Sequence, residues 1–525
     1  MKHLFLFTFF ITPALIFGQT LDWIQTVESS QMTSSGYEQY DISVNEFGEA
    51  LLMGPYENIE HYNHPFGTLR AQVYTESGDI SFTETYGGRG RIIDMVSNGD
   101  YFYIAGEFLD TIQFPGFPAL TMEEPNRVGN FLLKLHREGE VMWVQETMSI
   151  LPDMSIYAID IHSSGTLYIG AGDFAQNSRI LQMNEAGEVT EMWTQTNIGL
   201  ISSISVNEAG SVSIAGSCAH VDIDFNGTNI QNPIDDYNIY AAHYNADGEY
   251  QWSRFMLDVT CPLPKVLLKD DGATYFAGDL PTEATLGDFD LEPSGWVYSF
   301  FYSKISETGE VLWVYQTQQP EDGIGDAALA SGQAMIHWGD DVMLSGFTRG
   351  QLVWDEDLLT DSEIPGQSLF MTHFNPDGQI ENLIYGDESD FSQTTISMSA
   401  GPNGSLYMIG MVYDTLNIQG QSFPGEGFQL FISRWGNGII QSTGDEIAQY
   451  NLRHYPDPAH DSFTVEGASD GDQVLIYDIL GRPVYSSTIN GTKRFNVSQF
   501  PAGTYVLQVV RESVPVYRSS IRVVH

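Results

Sequence analysis

The chain has 525 residues, with 21 Lys+Arg against 69 Asp+Glu for a net charge of −48, and is 42% apolar and 13% aromatic. That is ample core material, which excludes general disorder, and the sign of the charge excludes a protein that tracks nucleic-acid phosphates. With 51 Gly and only 17% charged residues, the composition points to all-β structure rich in turns rather than to helical bundles.

Met1, Lys2 and His3 precede a stretch from Leu4 to Phe17 that is apolar apart from Thr8, Thr12 and Pro13, and Gly18 follows. A short basic start, an apolar run of this length and a small residue mark a secretory signal peptide, residues 1–18, with Gln19 first in the mature chain. The run is too short to span a bilayer, for which ~20 apolar residues are needed. No later segment reaches that length, so no transmembrane segment is expected. An exported chain meets oxidising conditions, and its two cysteines, Cys218 and Cys261, are expected to form a disulfide.

From residue 19 onward a unit of about 60 residues repeats seven times. First-hairpin turns fall at Gly48, Gly99, Gly165, Gly210, Gly272, Gly339 and Gly404. Second-hairpin turns fall at Gly78, Gly139, Gly187, Gly248, Gly309, Gly378 and Gly438, often after Asn, Asp or Glu, residues that tolerate tight hairpin geometry. The second strand ends in a small residue and Gly, as at Gly106, Gly216 and Gly278; these glycines are expected to let neighbouring sheets approach closely. The fourth strand carries Trp143, Trp193, Trp252 and Trp313. The seventh unit stops early, while an unassigned strand, Leu21 to Val27 with Trp23, stands before the first. An N-terminal strand that completes the last unit joins the ends of a ring and removes two open edges, whereas an open solenoid has no use for it. The reading is all-β: a seven-bladed β-propeller over 19–442, with a linker over 443–452.

The repeats resemble the β-propeller repeats of exported bacterial proteins, with an aromatic-apolar-x-Lys segment (Phe131 to Lys134) followed by Gly-x-apolar-x-Trp (Gly139 to Trp143). The first, sixth and seventh units match more loosely, lacking the Trp. The resemblance implies a fold and export, with no fixed activity.

Residues 451–525 hold seven basic and seven acidic residues, against 14 and 62 in the remainder. That break marks a second domain, 453–525, whose short alternating strands suit a small β-sandwich. It carries Tyr455, Pro456, Asp457, Pro458 and Ala459, then Tyr477, Asp478, Gly481 and Arg482, then Gly503 and Tyr505. These motifs resemble the type A C-terminal sorting domain of the type IX secretion system of Bacteroidota, with Asp457 where the family has Asn. The resemblance implies passage across the outer membrane with the secretion machinery as partner, and a secreted or cell-surface protein.

No Gly-x-Ser-x-Gly elbow and no His-Glu-x-x-His pair is present. His61 and His64 read as loop histidines. Asp222, Asp224 and Asn226 match the opening half of a calcium loop, yet Pro233 stands where the closing Glu belongs. Calcium is the one cofactor with any candidate ligands, and otherwise none is expected. The acid excess reads as a solvation device. Segments after the second strands are long (55–68, 107–129, 217–237, 279–297, 347–367 and 411–427) and bear Phe114, Phe117, Trp296 and Trp354. They are expected to form a recognition face, since the turns opposite are tight. The expected function is a non-catalytic binder of glycan or protein. The alternative is an extracellular polysaccharide-degrading hydrolase or lyase on the same scaffold.

Overall fold

The computed structural model describes residues 20–436 apart from 28–38, 61–65, 174–175, 232–236, 261–262, 294–298, 321–324, 356–357, 363–365, 387–392, 420 and 424. It also describes 453–524 apart from 456–458, 461, 467, 478–482, 492, 502 and 512–513. The chain divides into two compact units, Leu21–Asn437 and one that holds the C-terminal residues. The proposed signal peptide and linker, His61, His64, Trp296 and Cys261 lie outside the described residues.

The first unit is a succession of seven four-stranded antiparallel meanders. The fourth is representative: Leu200–Val206, Val212–Cys218, Asn238–Tyr244 and Tyr250–Met256 pair in chain order. The first and second meanders share the long strand Ile80–Asn98, outer strand of one and inner strand of the next. The innermost strands touch one another in sequence, and that of the seventh, Gln393–Ala400, returns to that of the first, Asp41–Val44. Ser397 donates to Asp41 Oδ1 at 2.6 Å, the Val44 amide to Ser399 Oγ at 3.0 Å, and Tyr407 to the Gly48 carbonyl at 2.7 Å. The ring is thus closed, the arrangement of a β-propeller.

The N-terminal strand Thr20–Val27 pairs with Phe428–Gly436 and supplies the fourth strand of the last meander. Its role is visible in one side chain. Trp143, Trp252 and Trp313 each donate Nε1 to a carbonyl in the second-hairpin turn of the following meander: Glu185, Glu307 and Pro376, at 3.0–3.3 Å. Trp23 does the same to Glu76 at 3.0 Å, across the junction of last and first. The indoles lie over the turn glycines Gly187, Gly309, Gly378 and Gly78, where an added Cβ would meet the ring at 2.7–3.3 Å. Phe82 fills the same role against Gly139. These glycines also hold φ near +85°, which side-chain-bearing residues rarely adopt. In the Asn245–Glu249 turn, Asn245 Oδ1 accepts the amides of Asp247 and Glu249, which explains the recurring Asn-x-x-Gly pattern.

Two expectations are corrected. At Gly170 the expectation holds, since a Cβ there would meet the Ile201 side chain of the next meander at 2.7 Å, but Gly216 and Gly346 do not make room for a neighbouring sheet. A Cβ there would fall 1.9 Å from the carbonyls of Leu200 and Ala328, on the innermost strand of the same sheet. Beside Gly216 that strand carries a bulge, as it does in the second, third and seventh meanders. The long segments after the second strands are also not open loops. Most form short hairpins, such as Asp222–Phe225 with Thr228–Gln231 and Leu416–Ile418 with Gln421–Phe423. They clasp the preceding meander's outer strand: Gln195 pairs with Phe225, Gly87 with Gln113, Gln318 with Val353 and Gly386 with Ile418. Two of their aromatics face inward: Phe114 packs on Tyr86 and Phe131, and Trp354 on Phe300 and Phe370, while Phe117 is half-buried.

The second unit has a three-stranded sheet (Arg453–Tyr455, Ser462–Glu466, Arg494–Asn496) and a four-stranded one around Gln473–Tyr477 and Gly503–Arg511. Phe463, Val465, Ile476, Leu507 and Val509 form its core. Arg511 bonds both oxygens of the buried Asp472 at 2.7–2.8 Å and holds that carboxyl below its ordinary value.

Candidate functional site

The inner edge of each meander is a sheet edge, and its backbone amides need partners. Polar side chains from neighbouring meanders supply them. Asp94 accepts the Met95 amide on Oδ1 and the Ile159 amide on Oδ2, at 2.9 and 2.8 Å. Asp160 repeats the pattern with Ile161 at 2.8 Å and Val206 at 2.7 Å. Ser203 and Ser205 receive the amides of Val266 and Leu268. Burial pushes Asp160 up to about 6 against the pull of these donors, and does the same to Asp41. Asp94 is raised well above its ordinary value, by burial and then by the charge of Asp41.

This belt surrounds a central cavity of about 900 Å³. It is lined by Ser43, Asp94, Asp160, Ser205 and Ser399, and between them by Ile42, Ile159, Ile204 and Val266, whose side chains are buried in the cores between meanders. Two residues earlier on the inner strands, Asp41, Ser203, Lys265 and Ser397 are buried and lie outside the cavity wall. They form a floor, in which Lys265 Nζ donates to the Ser331 carbonyl at 3.0 Å. The mouth lies among the tight turns, beside Glu208, Asp270, Asp271 and Asp340. This is the face opposite the long segments, so the cavity does not open where the sequence placed the recognition face.

Asp222 and Asp224 lie on a hairpin strand, and Asn226 forms its turn with φ of +49°. Asp224 Oδ1 accepts the Gly227 amide at 2.7 Å, Asp222 accepts from the Gln231 side chain, and Asn226 Nδ2 donates to the Gly248 carbonyl at 2.9 Å. Among the described residues no three His, Cys, Asp or Glu side chains gather as metal ligands would. Cys218 ends a second strand and is buried. In the second unit Tyr455 is exposed and Ala459 is buried. Tyr477 and Gly503 stand on strands, and Tyr505 donates to the Pro501 carbonyl at 2.8 Å. Pro456, Asp457, Pro458, Asp478, Gly481 and Arg482 lie outside the described residues. The wall residues escaped the sequence reading. Their signal is positional: Ser43, Asp94, Asp160, Ser205 and Ser399 each stand five residues before a first-hairpin glycine.

Residues 453–521 match the secretion system C-terminal sorting domain family. Among solved structures the chain is similar to an outer-coat vertex of COPII on membranes, at 9% identity and TM-score 0.40, over 86% of this chain and 98% of that one. It is similar to PorZ, a surface component of the type IX secretion system of Porphyromonas gingivalis, at 9% and 0.18, over 92% and 81%. A Bacteroides caccae protein of unknown function gives 9% and 0.26, over 47% and 89%. A search of curated proteins gave no match. The C-terminal domain is a type IX secretion sorting domain, and the protein is exported to the cell surface or the medium. Among the described residues no helix is long and apolar enough to cross a membrane.

Proposed function

We propose that this exported propeller is a non-catalytic binding protein and that the central cavity is its ligand site. The supporting observation is the state of Asp94 and Asp160, the two lining carboxyl groups on the inner strands; Glu208, Asp270, Asp271 and Asp340 stand apart from them at the mouth. Both oxygens of Asp94 and of Asp160 are held by backbone amides. A glycosidase needs two carboxyl groups free to exchange protons or attack, and these two are engaged as edge caps. The volume falls within the ~300–1,000 Å³ usual for small-ligand sites. Ala400 is exposed at the rim, so Ala400→Trp narrows the mouth without disturbing the core. The secreted protein is incubated with immobilised polysaccharides and peptides. Retention by the parent that Ala400→Trp loses supports the reading. New reducing ends released by the parent support the hydrolase or lyase instead.

A further inference from the structure

We infer that Asp41 and Asp94 form a proton-dependent latch where the ring closes: a proton held between the two carboxyl groups keeps the last, first and second meanders together, and its loss to solvent loosens that seam. The latch belongs to the ring and is independent of any ligand in the cavity.

The two groups come from the innermost strands of adjacent meanders and meet at one amide. Met95 donates its amide to Asp94 Oδ1 at 2.9 Å and faces Asp41 as well. Asp41 Oδ1 also takes the Ser397 hydroxyl of the last meander at 2.6 Å and the adjoining Ile42 amide at 2.8 Å. Asp94 Oδ2 takes the Ile159 amide of the third meander at 2.8 Å. Three seams converge on two carboxyl groups, and one of them is the seam that shuts the ring.

Capping amides does not by itself call for carboxylates. Asp41 stands seven residues before Gly48, and Asp94 five before Gly99; in the fourth meander those places, counted from Gly210, hold Ser203 and Ser205. Their hydroxyls receive the Val266 and Leu268 amides at 3.1 and 3.0 Å, the same task without a titrating group. What the two aspartates add is a charge that depends on pH.

The surroundings favour the proton. Burial pushes Asp41 up to about 6; burial and then the charge of Asp41 raise Asp94. Two carboxyl groups that face one amide in a buried place repel when both are ionised, so the pair retains a proton. Lys265 of the fifth meander acts on both and on Asp279, and its Nζ is engaged by the Ser331 carbonyl, so one ammonium group faces three carboxyl groups. Other charges on the packed elements are already committed. Arg91 pairs with Glu107 and Arg89 with Asp110, Asp160 is held by the Ile161 and Val206 amides, and Glu57 is exposed. Strand Gln393–Ala400 carries no ionisable side chain, and Tyr407 donates to the Gly48 carbonyl. Because both carboxyl groups are raised, the stability tied to the proton is complete below 3.8 and lost as pH rises through about 6 and beyond.

The test is hydrogen exchange of the full-length secreted protein, read by mass spectrometry at pH 5 and pH 8 and corrected for the intrinsic pH dependence of exchange. Peptides covering Asp41–Val44, Met95 and Ile159 report the latch, and those covering Val266 and Leu268 report the serine seam. Self-repulsion of so acidic a chain acts on both seams, so the difference between them isolates the pair. The expected result is a loss of protection at the latch at pH 8 that exceeds the loss at the serine seam by at least ~tenfold. In Asp41→Asn, Oδ1 still accepts from Ile42 and Ser397, and Nδ2 stands in for the proton toward Asp94. The two seams of that variant are expected to respond alike. Should it not fold, Asp94→Ser, which places at 94 the side chain found at Ser205, carries the same comparison. Equal responses of the two seams in the parent, or an undiminished excess loss in the variant, overturns the latch.

Discussion

Asp160 illustrates how one residue can serve a seam and carry a cost. Its carboxylate joins two meanders through the Ile161 and Val206 amides, yet burial raises it from 3.8 to about 6. A carboxyl raised in the fold binds its proton more firmly there than in the unfolded chain. The stability tied to that proton is complete below pH 3.8 and lost as pH rises through about 6. The protein is therefore expected to melt at higher temperature at pH 5 than at pH 7. Relief of self-repulsion in so acidic a chain acts in the same direction, and Asp160→Ser separates the two effects. The melting temperature of the parent relative to that variant should rise on acidification, and a pH-independent difference would refute the assignment. The indole–glycine contacts belong to the same scale. Trp252→Ala removes a buried ring and its bond to the Glu307 carbonyl, with an expected loss of about 3–5 kcal/mol in denaturant unfolding. Gly309→Ala meets both the indole at 2.7 Å and a φ of +84°. It is expected to cost at least ~1 kcal/mol, and less once Trp252 is absent, because only the backbone strain then remains.

Among elements, the hairpins after the second strands decide how the meanders hold together. Phe225 on one of them stacks on Tyr250 and packs against Tyr240 and Tyr244, while its backbone pairs with Gln195 of the preceding meander. Phe225→Ala is expected to cost about 3–5 kcal/mol and to raise amide exchange in Val189–Thr196 as well as locally. Exchange confined to the hairpin itself would deny the clasp. These hairpins also mark where the sequence stops being transparent. The turn glycines and outer-strand tryptophans are local signals with a fixed period, so the four-strand unit was legible, and the unassigned strand around Trp23 revealed the closure. That Trp and Gly meet across units was not legible, because the partners stand 44–65 residues apart. The clasps read as loops because Asn226-Gly227 and Gln419-Gly420 mark turns without saying which strand the hairpin joins. The cavity was hidden for a stronger reason: each wall residue lies in an ordinary alternating strand, and only the ring brings them together.

At the scale of the whole molecule, both ends of the chain carry tasks that the repeats cannot perform. The sorting domain has its own core and belongs to a family defined by export. Deleting 453–525 is therefore expected to leave a folded propeller in the periplasm, with none in the medium or on the cell surface by fractionation; unchanged release would contradict this. The N-terminal strand acts on the ring itself. Without Thr20–Val27 the last meander has three strands, and Phe428–Gly436 becomes an open edge. Trp23 no longer reaches the Glu76 carbonyl. Arg434, which now pairs with Asp22 and with Glu76 at 2.5 Å, loses one partner. The seam between last and first meanders then rests on inner-strand contacts such as Ser397 to Asp41. Deleting residues 19–28 is expected to lower the melting temperature by on the order of 5–10 °C and to promote association through the open edge, visible as a concentration-dependent mass in light scattering. Trp23→Ala keeps the strand and removes only the indole, so it should show a smaller drop and no association. An equal loss from both variants would mean that the indole, rather than strand pairing, holds the ring shut.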